Sequence, residues 1–452
     1  MELSGRNISV IGLGKTGKAA CRFLAGQGAR VTATDEKPLS DLHDVETELR
    51  QGGGEIKLVP YNTEVLARCD LVVPSPGVPP ANEIIVAALE KGIPILSELE
   101  IASRFLKPPM VAITGTNGKT TTTTLVGHIL AESGKRVYVG GNIGSPLIDY
   151  VGGPQEDDFA VVEVSSFQLQ WIERLRPYVA ALLNVTCDHV DYHGFFAAYR
   201  AAKENLFAHQ RGTDFAIVNW EDEGTPRLLK TLAARTICFS SLRTPEGARI
   251  FREEDRLVYD PPGGDREIYP LNMIKLPGRH NVENIMAALV MARLCGCSPV
   301  EVERAIETFR GLPYRIEWAG EVGGAVYYDD SKGTNVDAVL RALESFMPPV
   351  ILLMGGRDKE GDFETLIPAI REKVKLLVLF GEARERIESR IGPIVETVMV
   401  PTLREGVQAA YRQTKPGDVV LLSPGCASFD EFQDYKDRGR AFKKAVRELD
   451  NA

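Results

Sequence analysis

The chain has 452 residues, of which 44% are hydrophobic and 25% charged; this is an ordinary globular composition in a chain too long for one core. Its net charge of −9 argues against an extended nucleic-acid surface, because phosphate binding needs clustered cations. The seven cysteines form no CxxC pair, and the sequence contains no 18-residue apolar run and no signal-peptide core, so we expect a cytoplasmic protein with reduced thiols and no membrane insertion.

The start of the chain carries a glycine-rich turn between two predicted strands. An apolar strand at 8–11 leads into GLGKTG at 12–17, followed by a helix and a second strand at 30–34 that ends at Asp35. The glycines suit a tight turn, and an acidic residue about eighteen positions later suits ribose hydroxyls. The pattern is typical of a domain that binds a nucleotide.

The stretch VAITGTNGKTTT at 111–122 predicts a phosphate-binding loop between a strand and a helix. Gly115 and Gly118 let backbone N–H groups approach phosphate oxygens, and the helix N-terminus adds partial positive charge. Lys119 would reach the β- and γ-phosphates, and Thr120 would present its hydroxyl to Mg²⁺. These features together indicate a site for a nucleoside triphosphate.

The rest of the chain alternates predicted strands and helices, which favours mainly parallel sheets. Strands are predicted at 55–59, 71–73, 136–139, 159–164, 179–185, 325–329, 350–354, 376–380 and 419–422. Proline-rich or glycine-containing breaks near 107–109 and 311–313 separate three blocks. We therefore predict an α/β protein of three domains: a Rossmann-like domain at 1–99, a central P-loop ATPase-type domain at 100–311 and a Rossmann-like α/β domain at 312–452.

The two glycine loops allow more than one function. NAD bound at 12–17 would indicate an oxidoreductase, although no hydride-transfer site is evident downstream. The loop at 111–122 has Ile113 where the full P-loop pattern has a glycine, and by itself it would also suit a nucleotide switch without catalysis. We favour a third interpretation, in which the first domain holds a nucleotide-bearing substrate and the second holds ATP.

Several spaced blocks resemble the Mur ligases. They are VAITGTNGKTT (111–121), GGNIG (140–144), VEVSSFQL (162–169), NVTCDHVDYHG (184–194), YRAAKENLF (199–207), GRHNVENIMAA (278–288), GLPYRIEW (311–318), DDSKGTNVDA (329–338) and LLSPGCASFDEFQDYKDRG (421–439). The last block and the GLGKTG start resemble the branch of the family that adds D-glutamate. A sister ligase adding another amino acid, or folylpolyglutamate synthase, is the nearest rival.

This resemblance implies ATP-driven amide formation between UDP-N-acetylmuramoyl-L-alanine and D-glutamate in peptidoglycan precursor synthesis, by a monomer that uses Mg²⁺, or alternatively Mn²⁺, at two sites. Its implied catalytic residues are Lys119, Glu163, His189 and Lys203. Thr120, Glu163, His189 and Lys203 would hold the metals, with Lys203 carbamylated by CO₂ so that it offers an anionic oxygen. Without that context, Glu163 would be an ordinary rim carboxylate, His189 a turn residue and Lys203 a solvated helix lysine.

The resemblance also implies three sets of binding residues. The ATP set is Gly115, Thr116, Asn117, Gly118, Lys119, Thr120, Thr121, Asn281, Asn284, Arg315, Asp330 and Lys332. The set for the uridine nucleotide is Lys15, Thr16, Asp35, Lys37, Ser75, Asn142, Ser165 and Gln168. The D-glutamate set is Thr334, Lys359, Ser428 and Tyr435. The run 355–359 leaves open whether Lys359 or Arg357 makes the contact.

Overall fold

The computed structural model describes residues 1–51, 54–186, 188–242, 247–358 and 361–449. The chain divides into two compact units, one made of Met1–Ile274 with Val282–Phe309 and the other of Lys275–Asn281 with the chain from Arg310 onward. In the described part of the chain, no helix combines the length and the apolar character needed to cross a membrane.

The first unit begins with a four-stranded parallel sheet of order β3-β2-β1-β4. Its strands are β1 (Asn7–Ile11), β2 (Arg30–Thr34), β3 (Glu55–Leu58) and β4 (Leu71–Pro74), and its helices are α1 (Lys15–Gly26), α2 (His43–Gln51), α3 (Glu83–Glu90) and α4 (Glu98–Ser103). At Gly17 in α1, a Cβ atom would lie 1.8 Å from the carbonyl oxygen of Gly12. Glycine at this position therefore lets the helix start directly against the turn after β1.

The first unit also contains a nine-stranded sheet of order β13-β12-β11-β10-β9-β8-β5-β7-β6. Its strands are β5 (Met110–Thr114), β6 (Val137–Gly141), β7 (Phe159–Glu163), β8 (Val179–Leu182), β9 (Phe215–Asn219), β10 (Arg235–Ser240), β11 (Ala248–Glu253), β12 (Arg256–Tyr259) and β13 (Glu267–Pro270). The sheet is parallel from β6 to β11, and only the β11-β12 and β12-β13 pairs are antiparallel. Strand β5 is buried along its whole length, as expected for the centre of a covered parallel sheet.

A series of helices follows β5 along the chain, and the first of them packs against β5, β6 and β7. They are α5 (Lys119–Glu132), α6 (Leu147–Val151), α7 (Ser166–Leu169), α8 (Val190–His193), α9 (Phe196–Glu204), α10 (Thr225–Leu228), α11 (Arg279–Leu294) and α12 (Pro299–Thr308). Short 3-10 helices lie at Leu39–Leu42, Thr63–Leu66, Asn205–Phe207, Leu271–Met273, Phe363–Leu366 and Gly392–Ile394.

Helix α4 joins the two sheets of the first unit through a buried carboxylate. One oxygen of Glu100 accepts hydrogen bonds from the backbone N–H groups of Glu173, Arg174 and Leu175, at 3.0, 3.0 and 2.9 Å. The other accepts from Arg104 at 2.6 Å. Because a buried carboxylate needs such partners, this contact fixes the segment before β8 (Val179–Leu182) against α4.

The second unit contains a six-stranded sheet of order β14-β15-β19-β16-β17-β18, in which only the β14-β15 pair is antiparallel. Its strands are β14 (Glu317–Val322), β15 (Ala325–Asp329), β16 (Val350–Gly355), β17 (Val374–Phe380), β18 (Thr397–Met399) and β19 (Val419–Gly425), and its helices are α13 (Val336–Glu344), α14 (Ile367–Lys373), α15 (Arg384–Ile391), α16 (Leu403–Arg412) and α17 (Tyr435–Leu449). Helices cover both faces with separate apolar clusters. The predicted α/β fold with mainly parallel sheets is confirmed, and the boundaries at 99 and 311 stay predictions.

Candidate active site

The glycine-rich loop lies between β5 and α5, at the carboxyl edge of the central sheet, where parallel α/β proteins bind ligands. Gly115 and Gly118 adopt positive φ angles of 156° and 83°. A Cβ atom at Gly118 would lie 2.1 Å from the side-chain oxygen of Asn284. The loop therefore needs glycine for its backbone conformation and for the approach of Asn284, which lies 4% exposed on α11.

Two lysines converge on the carbonyl oxygen of Gly115. Lys119 donates to it at 2.8 Å and also to the carbonyl of Thr116 at 2.9 Å. Lys203, from α9, donates to the same Gly115 oxygen at 2.8 Å and is only 1% exposed. Burial, followed by repulsion from Lys119, lowers the pKa of Lys203 to about 6, while Asp188 and Glu163 act in the opposite direction. Lys203 is thus a buried amine beside the glycine-rich loop and not a solvated helix lysine.

Glu163 ends β7, next to β5, and is 2% exposed. Its Oε1 accepts a hydrogen bond at 2.8 Å from the side-chain amide of Asn142. Its Oε2 is buried with no hydrogen-bond partner among the described residues. A buried carboxylate oxygen without a partner is costly unless a cation or another donor satisfies it. Glu163 is therefore not a solvated rim residue.

His189 lies in the turn before α8 with a φ angle of 50°, which is uncommon for a residue other than glycine. Its ring nitrogen is 3.5 Å from the carboxylate of Asp188, and its side chain is about half exposed. The ring contacts Phe167, with centroids 4.8 Å apart. Among the described residues, no group of three or more His, Cys, Asp or Glu side chains is arranged to hold a metal.

A cavity of about 420 Å³ lies beside the turn after β1. Predicted nucleotide-binding residues that line it are Lys15, Thr16, Asp35, Ser75 and Asn142. Since Asn142 also contacts Glu163, this cavity reaches towards the carboxyl edge of the central sheet.

Some side chains that line the cavity also hydrogen-bond backbone groups of its walls. Asp35 accepts hydrogen bonds from the backbone N–H groups of Leu13 at 2.6 Å and Lys37 at 3.1 Å, and Ser75 donates to the carbonyl of Gly12 at 2.7 Å. Lys15 donates to the carbonyl of Gly144. Asp35 therefore shapes the turn through its carboxylate.

Three residues that were predicted to bind the uridine nucleotide do not line this cavity. Lys37 is exposed and is not among the residues that line the cavity. Ser165 and Gln168 are buried and form a capping box at the start of α7, in which Gln168 Oε1 accepts from the Ser165 N–H and hydroxyl, each at 3.0 Å. These hydrogen bonds give both residues a local role in starting the helix.

In the second unit, Asp330 follows β15 and is 5% exposed. It accepts a hydrogen bond from the Ser423 hydroxyl at 2.8 Å. Burial raises the pKa of Asp330 to about 7, against the opposing effects of the Ser423 bond and of Arg315. A side chain on Gly333 would meet this carboxylate at 2.4 Å, so Gly333 is needed for the close turn around it.

Arg315 lies between two residues in strained backbone conformations. Tyr314 and Ile316 have φ angles of 66° and 46°. Such angles cost free energy in residues with a large side chain and are concentrated at functional sites. The Tyr314 N–H donates to Glu317 at 2.8 Å, and Glu317 in turn accepts from Lys443 at 2.7 Å. This arrangement fixes the turn that presents Arg315.

Among the other predicted residues of this unit, Lys332 and Thr334 follow β15, and Ser428 follows β19. The Lys332 ammonium lies 6.0 Å from the centre of the Tyr435 ring. Thr334 is partly exposed, Ser428 is 2% exposed, and Lys359 lies outside the described residues. Arg357 forms two hydrogen bonds of 3.0 Å with the carboxylate of Glu382, so its guanidinium already has a partner. Asn281 donates to the carbonyl of Pro277 at 2.7 Å.

Sequence reasoning missed two residues that support the phosphate loop. Asn184, after β8, accepts from the Asn117 N–H at 2.9 Å through its side chain and from the Thr116 N–H at 2.9 Å through its backbone carbonyl. Tyr199 lies under the Lys203 ammonium at 4.6 Å and shares a hydrogen bond of 3.1 Å with the Thr116 hydroxyl. The sequence pointed to Asn184 and Tyr199 only through the blocks 184–194 and 199–207, which resemble the Mur ligases.

Three family models match successive parts of the chain. The Mur ligase MurD-like N-terminal domain matches residues 6–97, the Mur ligase middle domain matches 113–292, and the Mur ligase glutamate ligase domain matches 314–426. The chain belongs to the Mur ligase family. The family predicted from the short blocks is therefore confirmed.

Full-length relatives of this Mur ligase carry a common name. A UDP-N-acetylmuramoylalanine--D-glutamate ligase from Syntrophus aciditrophicus is 56% identical, with 99% of each chain covered. A ligase of the same name from Geotalea daltonii is 44% identical, again over 99% of each chain.

Solved Mur ligase structures share the fold. The UDP-N-acetylmuramate-alanine ligase MurC from Thermotoga maritima is 21% identical with a TM-score of 0.56, covering 98% of this chain and 99% of that one. The MurF ligase from Thermotoga maritima in complex with ADP is 17% identical with a TM-score of 0.57, covering 99% and 98%. At such identities the likeness supports the fold alone.

Proposed function

We propose that this Mur ligase joins D-glutamate to UDP-N-acetylmuramoyl-L-alanine at the expense of ATP. The observation that carries the proposal is the end-to-end match, at 56% identity, to a ligase of that name. A phosphate loop and a nucleotide-sized cavity within one compact unit support it. The absence of a hydride-transfer site in the sequence argues against an oxidoreductase.

The reaction has two chemical steps. A carboxylate does not react directly with an amine, because hydroxide is a poor leaving group. An oxygen of the alanyl carboxylate first attacks the γ-phosphorus of ATP, and ADP departs, which leaves an acyl phosphate. The neutral D-glutamate amine then attacks the carbonyl carbon to give a tetrahedral intermediate. The nitrogen releases a proton to solvent, and phosphate leaves with the original carboxylate oxygen. Most of the catalytic effect in such a transfer comes from positioning and from charge stabilisation on the phosphoryl oxygens.

The phosphate loop provides that stabilisation. The N-terminus of α5 faces the triphosphate, and Lys119 exchanges its contacts with Gly115 and Thr116 for phosphoryl oxygens. The N–H groups of Thr116 and Asn117 instead hold the loop to Asn184. Asn284 supports Gly118 from α11. We also propose that Asn281, Arg315, Asp330 and Lys332 have nucleotide-binding roles.

The donor set beside this loop suits a hard cation. Glu163 has a buried oxygen that lacks a partner among the described residues, and Thr120 adds a hydroxyl at the first turn of α5. A free ammonium at Lys203 would repel a cation, whereas a carbamate would add an anionic oxygen, so we propose that Lys203 is carbamylated. His189 would serve a second ion on the acyl-substrate side. Bound Mg²⁺ would neutralise charge on the phosphoryl oxygens.

Substrate binding is divided between the two ends of the chain. The uridine nucleotide occupies the cavity of about 420 Å³, where Lys15 meets its diphosphate. D-Glutamate has two carboxylates that need donors. Thr334, Ser428, Tyr435 and Lys359 supply them in the second unit, and the pairing of Arg357 with Glu382 favours Lys359 over Arg357 for this role.

The test is amino-acid selectivity. The purified protein is incubated with ATP, Mg²⁺ and UDP-N-acetylmuramoyl-L-alanine, together with D-glutamate, L-glutamate, L-alanine or meso-diaminopimelate in separate reactions. We expect rapid phosphate release with D-glutamate, together with a product of the mass of the glutamyl adduct. Release should be much slower with L-glutamate and absent with L-alanine or meso-diaminopimelate. Equal rates with L-alanine or meso-diaminopimelate would assign the chain to a sister ligase.

A further inference from the structure

The loop after β4 forms one wall of the nucleotide cavity and is held from two sides. Ser75 and Val78 both line the cavity. On one side, the Val78 side chain lies so close to the turn after β1 that a Cβ atom at Gly12 would meet it at 3.2 Å. On the other side, the backbone carbonyl of Val78 accepts a hydrogen bond of 2.9 Å from the hydroxyl of Tyr192. Val78 thus touches both the glycine turn and the short helix α8.

Tyr192 packs against aromatic residues, one of which contacts His189 in the turn before α8. Its ring lies 4.4 Å from Phe167 and 4.8 Å from His193, between ring centroids. Phe167 in turn contacts the ring of His189 at 4.8 Å. His193 is buried and hydrogen-bonds the Ser166 hydroxyl at 3.0 Å. The position of the Tyr192 hydroxyl is therefore determined by packing around the residue proposed to hold a metal.

We propose that Tyr192 is a positioning residue for the nucleotide-bearing substrate: its hydroxyl fixes the wall of the cavity at Val78 relative to the turn that carries His189. This inference rests on the proposed use of the cavity for a uridine nucleotide. Tyr192 does not touch the reacting atoms, so it acts through the Ser75–Val78 loop. The hydroxyl is a donor throughout the physiological range, because burial raises the pKa of Tyr192 to about 12.

The effect of Tyr192 is expected in binding and not in the chemical step. Tyr192→Phe keeps the ring and its packing against Phe167 and removes only the hydrogen bond to Val78. Loss of one hydrogen bond that orders a binding loop predicts a fall in nucleotide affinity of about threefold to tenfold. The KM for ATP and the KM for D-glutamate should stay unchanged, because neither site contains this loop.

The experiment compares the wild type, Tyr192→Phe and the control Tyr178→Phe in the full-length protein. Tyr178 is partly buried and packs its ring against Phe215. It lies just before β8, at the amino end of that strand, whereas the glycine-rich loop follows the carboxyl end of β5. UDP binding is measured by calorimetry, followed by kcat and the three KM values. Amide hydrogen exchange is measured across residues 72–82.

We expect Tyr192→Phe to weaken UDP binding and raise the KM for the nucleotide substrate, with kcat unchanged and faster exchange at 75–79, while Tyr178→Phe matches the wild type. Unchanged UDP affinity and exchange in Tyr192→Phe would overturn the positioning role. So would an equal rise in all three KM values. A wild-type protein that binds no UDP would instead refute the proposed use of the cavity, which separates the two failures.

Discussion

Replacing Lys119 with alanine separates the catalytic contribution of the phosphate loop from its contribution to folding. In the structure, the ammonium donates to the carbonyls of Gly115 and Thr116 at 2.8 and 2.9 Å. Each hydrogen bond from a charged donor in a partly buried site contributes about 1.5 kcal/mol to folding, the low end of the range for charged groups. A cation at the N-terminus of a helix is disfavoured by about 0.3 to 1 kcal/mol, which offsets part of that loss. The free energy of unfolding should therefore fall by about 2 to 3 kcal/mol.

The expected loss of transition-state stabilisation is larger than this loss of folding stability. Removing a charge aimed at the transferring phosphoryl group costs about 4 kcal/mol of transition-state stabilisation, which lowers the rate by about 10³-fold. Phosphate release at saturating substrates gives the rate, and thermal unfolding gives the stability. Lys135→Ala is the matched control, because this lysine lies just beyond the other end of α5 and should leave the rate unchanged.

The reasoning fails if Lys119→Ala folds normally and keeps a rate within about tenfold of the wild type. Lys119→Met retains most of the side-chain length without the charge, so it should lose as much activity as the alanine variant. A methionine variant with near-normal turnover would mean that the charge of Lys119 does not face the phosphates.

Two further predictions follow from buried groups of the first unit. Lys203→Ala should be nearly inactive and should be partly rescued by a small carboxylic acid. The wild type should lose activity when bicarbonate is removed and regain it when bicarbonate is returned. Full activity of the variant would contradict the carbamate. Burial raises the pKa of Glu98 from 4.5 to about 7, so the folded chain holds a proton between these pH values that the unfolded chain has released, and stability falls as pH rises through this window. Glu98→Gln keeps an acceptor for the Ile148 N–H and should therefore be more stable than the wild type at pH 8 but not at pH 4, as measured by urea unfolding; equal destabilisation at both pH values would contradict this.

The sequence predicted the elements of the site better than their contacts. Alternating strands and helices predicted parallel strands, and the structure places Lys119, Glu163 and the turn with His189 after or at the ends of β5, β7 and β8 of one parallel sheet. The approach of Lys203 to the Gly115 carbonyl depends on the packing of α9, which has no sequence signature. Only the resemblance to a family indicated it.

Contacts between a side chain and a distant backbone group were not predictable from spacing. Asn184 supports the phosphate loop, and Tyr192 holds the Val78 carbonyl 114 residues away, because of how neighbouring strands and short helices are placed in space. Periodicity also missed the antiparallel β12 and β13 within 213–270. Arg357 illustrates the same difficulty, since the glutamate that pairs with it follows a different strand.

The central claim is that the alanyl carboxylate is activated by direct phosphoryl transfer from ATP and then captured by D-glutamate. The most direct measurement uses UDP-N-acetylmuramoyl-L-alanine with both carboxylate oxygens replaced by ¹⁸O, and follows the label in the released phosphate by mass spectrometry. The account predicts one ¹⁸O atom in each phosphate and the other in the new amide, with release dependent on D-glutamate. Phosphate without label would mean that water attacks ATP, as in a nucleotide switch, and would contradict the account.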